Sequence, residues 1–120
     1  MARASDLKTL CKLRNYEIKG YRNAFIHVYA YQMFLVHNHY HVARHFTMDF
    51  NEALQTPLSK PKIEAIVKST FKAYERHRED ISKGYNYKNA TLIELLAITT
   101  EEQRQLKSII DKTEKQRRNT

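Results

Sequence analysis

The chain has 120 residues, 42% of them apolar, and 21 Lys and Arg against 13 Asp and Glu, a formal net charge of +8. This length and composition predict one domain that buries a sizeable core, and the single cysteine, Cys11, excludes an internal disulfide and is expected in that core. The longest apolar run, residues 24–36, is too short to span a bilayer, and no signal peptide opens the chain, so we expect a cytoplasmic protein.

Apolar residues recur at helical spacing and only two Gly and two Pro occur, which predicts an all-α fold, a bundle of about five to six helices. The first helix is predicted from Ser5, as its cap, to about Arg14. Its inward residues are expected to be Leu7, Leu10 and Cys11. A turn that ends at Gly20 leads to a second helix over about 21–36. This helix is apolar nearly all round, which is typical of the buried centre of a bundle.

The next two helices are predicted from their apolar stripes and caps. A third helix runs over about 41–54. Ser59 as cap and Pro61 in the first turn predict a fourth helix that ends near His77. The expected inward residues are Val42, Phe46, Phe50 and Ala53 in the third helix, and Ile63, Ile66, Val67, Thr70 and Tyr74 in the fourth.

The C-terminal third begins with a polar connector, REDISKGYNYKN, over residues 78–89. A short helix is predicted over 90–98. The capping box of Thr99 and Glu102 predicts the start of a last helix, with Leu106, Ile109 and Ile110 as its apolar stripe. We therefore expect residues 1–80 to form a helix bundle and 81–120 a connector with a helix-turn-helix-like pair that packs on it, all in a single structural domain.

Four of the six histidines lie within residues 37–45. If one helix ran through them, His37, His41 and His45 would share a face, and Glu52 would lie near enough to complete a zinc site. However, no Cys partner or HExxH motif is present, and a turn between helices is expected here. A nickase-type reading of His39 and His41 needs a strand, whereas their neighbours have helical spacing. We therefore expect a polar turn, with no metal site.

Catalytic groups are not apparent in the sequence. The acidic residues are scattered and mostly spaced to pair with bases, as Glu64 is with Lys68 at i,i+4. Two-metal or acid–base catalysis needs convergent carboxylates, and no phosphate-binding loop or Ser-His-Asp order is present. We expect no enzyme activity from this chain alone and no cofactor.

Positive charge favours nucleic acid as the partner, and the excess is four charges in residues 1–60 and four in 61–120. Lys68, Lys72 and Arg76 are spaced i, i+4, i+8 and could follow a phosphate backbone. The alternative is an ordinary solvated helix face, with Glu64 and Glu75 beside these bases.

Two further groups are candidate DNA contacts. Tyr85 and Tyr87, flanked by Lys83 and Lys88, suit base stacking with phosphate pairing on single strands; alternatively, the tyrosines only cover the bundle. Arg22 and Asn23 follow Gly20 at a helix start, where free amides also favour phosphate. The structural alternative is that Asn23 caps the helix and Arg22 pins the preceding loop.

The stretches GYRNAFIHVYAYQMF and FNEALQTPLSKPKIEAIVKSTFKAY together resemble the primase C-terminal domain of plasmid, phage and mobile-element replication proteins. The similarity covers about residues 5–77. YKNATLIELLAITTEEQRQLKSIIDKTEKQRRN resembles the segment that follows this module in replication proteins of Gram-positive mobile elements. The matching positions are Gly20, Arg22, Asn23, Asn51, Pro57, Leu58, Ile66, Val67 and Ser69.

The resemblance implies a helix bundle appended to a primase–polymerase catalytic domain. Such a bundle engages template DNA, single-stranded or primer–template, and helps to start primer synthesis. The catalytic carboxylates belong to the preceding domain of such proteins. Two other classes stay open: a helix-turn-helix regulator that reads a duplex site with residues 92–110, and a protein-interaction adaptor that does not bind DNA.

Overall fold

The computed structural model describes residues 1–120 and contains seven α-helices and no strand. This confirms the all-α bundle. No helix is both long enough and apolar enough to cross a membrane. The helices are α1 (Ala2–Leu13), α2 (Arg22–His37), α3 (Tyr40–Glu52), α4 (Lys60–Glu79), α5 (Asn89–Leu95), α6 (Thr100–Gln103) and α7 (Lys112–Arg118).

Helix α2 lies at the centre of the bundle, as its apolar surface predicts, and α1, α3 and α4 pack around it. The Tyr29 ring stacks on Phe50 of α3 at 4.3 Å between centroids, and the Phe34 ring stacks on Tyr74 of α4 at 5.6 Å. Each such side chain, fully buried, stabilises the fold by about 1.5–3 kcal/mol. The apolar face of α2 therefore fixes the positions of the three helices around it.

Helix α1 begins three residues earlier than predicted, so Ser5 lies inside it and is not its cap. Ala4 is buried against the core, which favours the additional turn. Leu7, Leu10 and Cys11 are buried as predicted. Burial raises the pKa of the Cys11 thiol to about 12, which keeps it in the neutral form expected of a core residue.

The buried face of α3 differs from the predicted stripe, because Val42 is 36% exposed and Ala53 is also exposed. The side chain of Asn51 turns inward, where its amide donates to the Leu58 carbonyl at 3.0 Å and its oxygen accepts from the Leu58 amide at 2.8 Å. These bonds hold the loop that leads into α4, and they place the polar Asn51 side chain on the buried face of α3. The face that is buried consists of Ala43, Thr47, Phe50 and Asn51.

Helix α4 follows its prediction closely, from Ser59 at the N-cap position through Pro61 in the first turn. All five of its predicted inward residues are buried. The predicted pairing of Glu64 with Lys68 is wrong, because Glu64 accepts a hydrogen bond of 2.7 Å from Arg44 of α3. This bond is the main reason that the pKa of Glu64 is lowered.

The predicted long last helix is wrong beyond its first turn. Thr99 and Glu102 form the expected capping box, but α6 has only four residues. The chain then turns across α1, where the buried carboxylate of Asp6 accepts the backbone amides of Lys107, Ser108 and Ile109 at 2.7–2.9 Å. Amides committed to Asp6 cannot donate along a helix. A one-turn α6 also offers no recognition helix, so the helix-turn-helix interpretation of 92–110 loses its main element.

A seventh helix follows this turn and was not separately predicted. The Asp111 side chain caps it by accepting the Glu114 amide at 2.8 Å. Glu114 is buried and accepts hydrogen bonds from Arg117 and Arg118, which lower its pKa to about 2. Arg118 also donates to the carbonyls of Gln103 and Leu106. Helix α7 is thus tied to the end of α6.

Two glycines with positive φ offer a matched test of how the connector sits on α4. Gly20 has φ +95°, and a Cβ added there would meet only open space, whereas a Cβ added to Gly84 (φ +86°) would lie 2.6 Å from the Ala73 carbonyl oxygen. We expect Gly20→Ala to cost about 1–2 kcal/mol from backbone strain alone. Gly84→Ala should cost about 2–4 kcal/mol, because overpacking adds to that strain. Urea denaturation measures both; equal losses would contradict the close approach.

Candidate nucleic-acid interface

The outer face of α4 carries the three predicted cations, Lys68, Lys72 and Arg76. All three side chains are exposed, and none forms an ion pair or a side-chain hydrogen bond. Four residues of α-helix advance about 6 Å, so the three charges follow the helix axis over about 12 Å. Glu64 is paired with Arg44 of α3, so Lys68, four residues after Glu64 on the same helix, forms no ion pair with it.

Two acidic residues reduce the positive potential of this surface towards the end of α4. Glu75 and Glu79 are exposed on the same helix and lie on its outer side. Exposed like and unlike charges a few ångströms apart are screened by water, so each acid weakens the neighbouring base only modestly. Both acids lie nearer in sequence to Arg76 than to Lys68, so they weaken the positive potential mainly at the Arg76 end of the stripe.

Arg22 and Asn23 start α2 but do not play the structural roles considered from the sequence. Arg22 donates to the Thr56 carbonyl at 2.7 Å, so it pins the loop before α4 and not the loop before α2. Asn23 is exposed, and α2 has no side-chain cap bond, so the alternative in which Asn23 caps the helix is wrong. Contact of either residue with phosphate stays a prediction. Both lie at the opposite end of α4 from Arg76.

The connector tyrosines pack on the bundle. The rings of Tyr85 and Tyr87 lie 5.1 Å and 6.4 Å from the ring of Tyr31, and both residues are half-buried. The Tyr85 hydroxyl is 3.3 Å from the Ser69 hydroxyl of α4, and burial raises the pKa of Tyr87 to about 12. These contacts agree with the covering role that was the alternative to base stacking. Only part of each ring is accessible, and stacking on bases stays a prediction.

The connector also places two predicted bases beside the stripe. Lys83 and Lys88 are exposed and make no ion pair. The Ser69–Tyr85 contact and the close approach of Gly84 to Ala73 hold the segment between them against α4. The structure thus brings the connector to the helix that carries Lys68, Lys72 and Arg76. A glycine inside a polar, aromatic segment was the only sequence signal for this close approach.

The histidines do not share one helix. Asn38, with φ +54°, ends α2, and His39 caps α3 by accepting the Val42 amide at 3.4 Å. His37 therefore belongs to α2, where it stacks on Phe46 at 4.7 Å, while His45 lies near Asp49 on the exposed side of α3. The turn predicted here is confirmed. No group of three or more His, Cys, Asp or Glu side chains is arranged to hold a metal ion.

Comparison with known proteins shows a similarity to a replication protein. No protein-family model matches the chain, and no solved structure matches it. Over 110 residues the chain is 35% identical to a protein named Replication protein from Clostridium perfringens, and the match covers 92% of this chain and 26% of that relative. The chain thus spans about a quarter of the relative's length. This similarity supports a relationship of the chain to replication proteins.

Proposed function

We propose that this chain is a DNA-binding helix-bundle module of a replication protein of the primase–polymerase type. It engages single-stranded or primer–template DNA during primer synthesis and is not catalytic by itself. The observation that carries the proposal is the set of exposed, unpaired cations on α4, Lys68, Lys72 and Arg76, in a chain similar to part of a replication protein. The catalytic partner is a primase–polymerase domain of the same parent protein.

The physical basis is neutralisation of backbone phosphates. Each Lys or Arg that meets a phosphate releases a condensed counterion, and this release supplies most of the sequence-independent affinity for DNA. Successive basic side chains on α4 are separated by about 6 Å along the helix axis, a spacing that suits contacts with neighbouring phosphates of one strand. The net charge of +8 also attracts DNA at longer range and increases the association rate.

The placement of the acidic residues supports a binding role. Asp6 accepts backbone amides, Glu102 accepts the Arg14 guanidinium at 2.7 Å, and Glu114 accepts two arginines. The carboxylates of Asp6 and Glu102 link separate parts of the chain, that of Glu114 pairs within α7, and the three do not converge on a common cleft. We therefore place the chemistry of primer synthesis in the partner domain.

Titration of labelled single-stranded, primer–template and duplex DNA at several salt concentrations tests the proposal. We expect binding that weakens steeply with salt and favours single-stranded or primer–template DNA over random duplex. Tight binding to one defined duplex sequence would instead indicate a regulator. Absence of salt-dependent binding to any DNA would contradict the proposal and favour a protein-interaction adaptor.

A further inference from the structure

A second strongly basic surface lies at the C-terminal end of the chain, away from the predicted contact residues on α4. Residues 104–118 contain six Lys and Arg against two Asp and Glu, an excess equal to half of the net charge of the whole chain. Helix α4 has a smaller excess, with six bases against three acids. The density of positive charge is therefore greater here than on the helix that the sequence pattern singled out.

Both acidic residues of this segment are engaged inside the protein. One carboxylate oxygen of Asp111 accepts the Glu114 amide, and the other accepts the Gln103 side-chain amide at 3.3 Å. Glu114 is buried and accepts Arg117 and Arg118. Neither acid forms an ion pair with a lysine of α7.

Two lysines of α7 remain free. Lys112 and Lys115 are exposed, form no ion pair and make no side-chain hydrogen bond. Both line an open hollow of about 670 Å³ between the starts of α5 and α7, where Asn89 and Thr113 also contribute. Asp111 lies on the same hollow, with its carboxylate engaged as described. Two ammonium groups therefore border this opening without an ion-pair partner in the chain.

The hollow is connected to the candidate interface through the connector. Asn89, which lines the hollow, donates to the Ser108 carbonyl at 2.7 Å and fixes the start of α5 against the 107–110 turn. Lys88 immediately precedes it and is exposed. Exposed basic side chains therefore extend from α4 through Lys83 and Lys88 to the hollow. An extended polyanion would meet cations along this whole path, whereas a compact anion would use only one part of it.

We infer that Lys112 and Lys115 form a second phosphate-contact surface, which binds the backbone of a nucleic-acid strand that also meets α4. This inference rests on the proposed function and adds a C-terminal contact to it. The two lysines act as point charges towards phosphate oxygens and read no base sequence. They extend the length of strand that one copy of the chain can hold.

The double variant Lys112→Ala/Lys115→Ala tests the inference. Its charge-matched control is Lys12→Ala/Lys19→Ala, which removes two exposed lysines, one on α1 and one in the turn after it. Affinity for a labelled single-stranded oligonucleotide is measured over a range of salt concentrations. We expect the slope of log affinity against log salt to fall by about 0.7 per contact, or about 1.4 in total, in the test variant only. Thermal melting and helicity should match the parent, because both side chains are exposed.

The possible failures can be told apart. If the parent chain binds no DNA, the proposed function and this inference fail together. If changes on α4 weaken binding while the Lys112 and Lys115 variant equals its control, the second surface alone is wrong. If this variant instead loses binding to a poly-glutamate peptide and keeps its DNA affinity, the surface serves an acidic protein, which also overturns the inference.

Discussion

Replacing Asp6 with alanine is expected to lower the free energy of unfolding by about 3 kcal/mol or more, a large effect for one substitution. The Asp6 carboxylate is 1% exposed and accepts the amides of Lys107, Ser108 and Ile109 together with the Ser108 hydroxyl. Removing it leaves these donors without their partner. Each buried donor left unsatisfied costs about 1–3 kcal/mol, and water entering the site offsets part of this.

Urea denaturation followed by circular dichroism measures this loss. Asp80→Ala is a suitable control, because Asp80 is exposed and its side chain bonds only to nearby Ser82. Asp6→Asn should fall between the two, since it keeps the shape and one acceptor oxygen but loses the charge. Hydrogen exchange should show the earliest loss of protection around residues 104–118. A loss for Asp6→Ala no larger than that for Asp80→Ala would show that the 107–109 turn is held by other contacts.

The Asp6 contact shows where sequence reasoning stops. Helices α2 and α4 were predictable because their apolar spacing is a local property, repeated every three or four residues. Asp6 meets partners 101 to 103 residues away, and its own neighbours give no sign of them. The predicted last helix followed local spacing correctly at Leu106 and Ile109, which are both buried. The predicted helical backbone was wrong, because the distant Asp6 carboxylate accepts the amide hydrogen bonds that a helix would have formed.

The same distinction applies to the candidate interface. Exposure of Lys68, Lys72 and Arg76 followed from helical periodicity, and the structure places all three outside. The partner of Glu64 did not follow, because Arg44 lies on a different helix, α3, from which it donates to Glu64 at 2.7 Å. Position along a helix is encoded locally, whereas the choice among several possible partners depends on how the helices pack.

The packing of the connector tyrosines depends on the tertiary fold and could not be predicted from local sequence. From sequence, Tyr85 and Tyr87 suited either base stacking or coverage of the bundle. Their rings pack on Tyr31 and belong to the edge of the core, so we expect alanine at either position to lower stability. Loss of DNA binding in these variants would be mixed with loss of folding. The cations of α4 give a cleaner test.

The triple variant Lys68→Ala, Lys72→Ala, Arg76→Ala is expected to weaken binding to all DNA sequences to a similar degree. If each of the three basic side chains contacts one phosphate, the slope of log affinity against log salt should fall by about 0.7–0.9 per contact, or about 2–3 in total. Phosphate contacts carry no base information, so sequence preference should not change. Melting temperature should stay close to that of the parent, because all three side chains are exposed and unpaired.

A control with Lys8, Lys12 and Lys19 changed to alanine removes the same charge from α1 and the turn after it. Long-range attraction depends on net charge and should fall equally in both triple variants, mainly as a slower association. Loss of a direct contact raises the rate of dissociation, and only the α4 variant should show this increase. Stopped-flow or surface-based kinetics on a single-stranded oligonucleotide separates the two rates. Equal changes in both variants would mean that DNA responds to the overall charge of the protein and that the α4 stripe is not the contact surface.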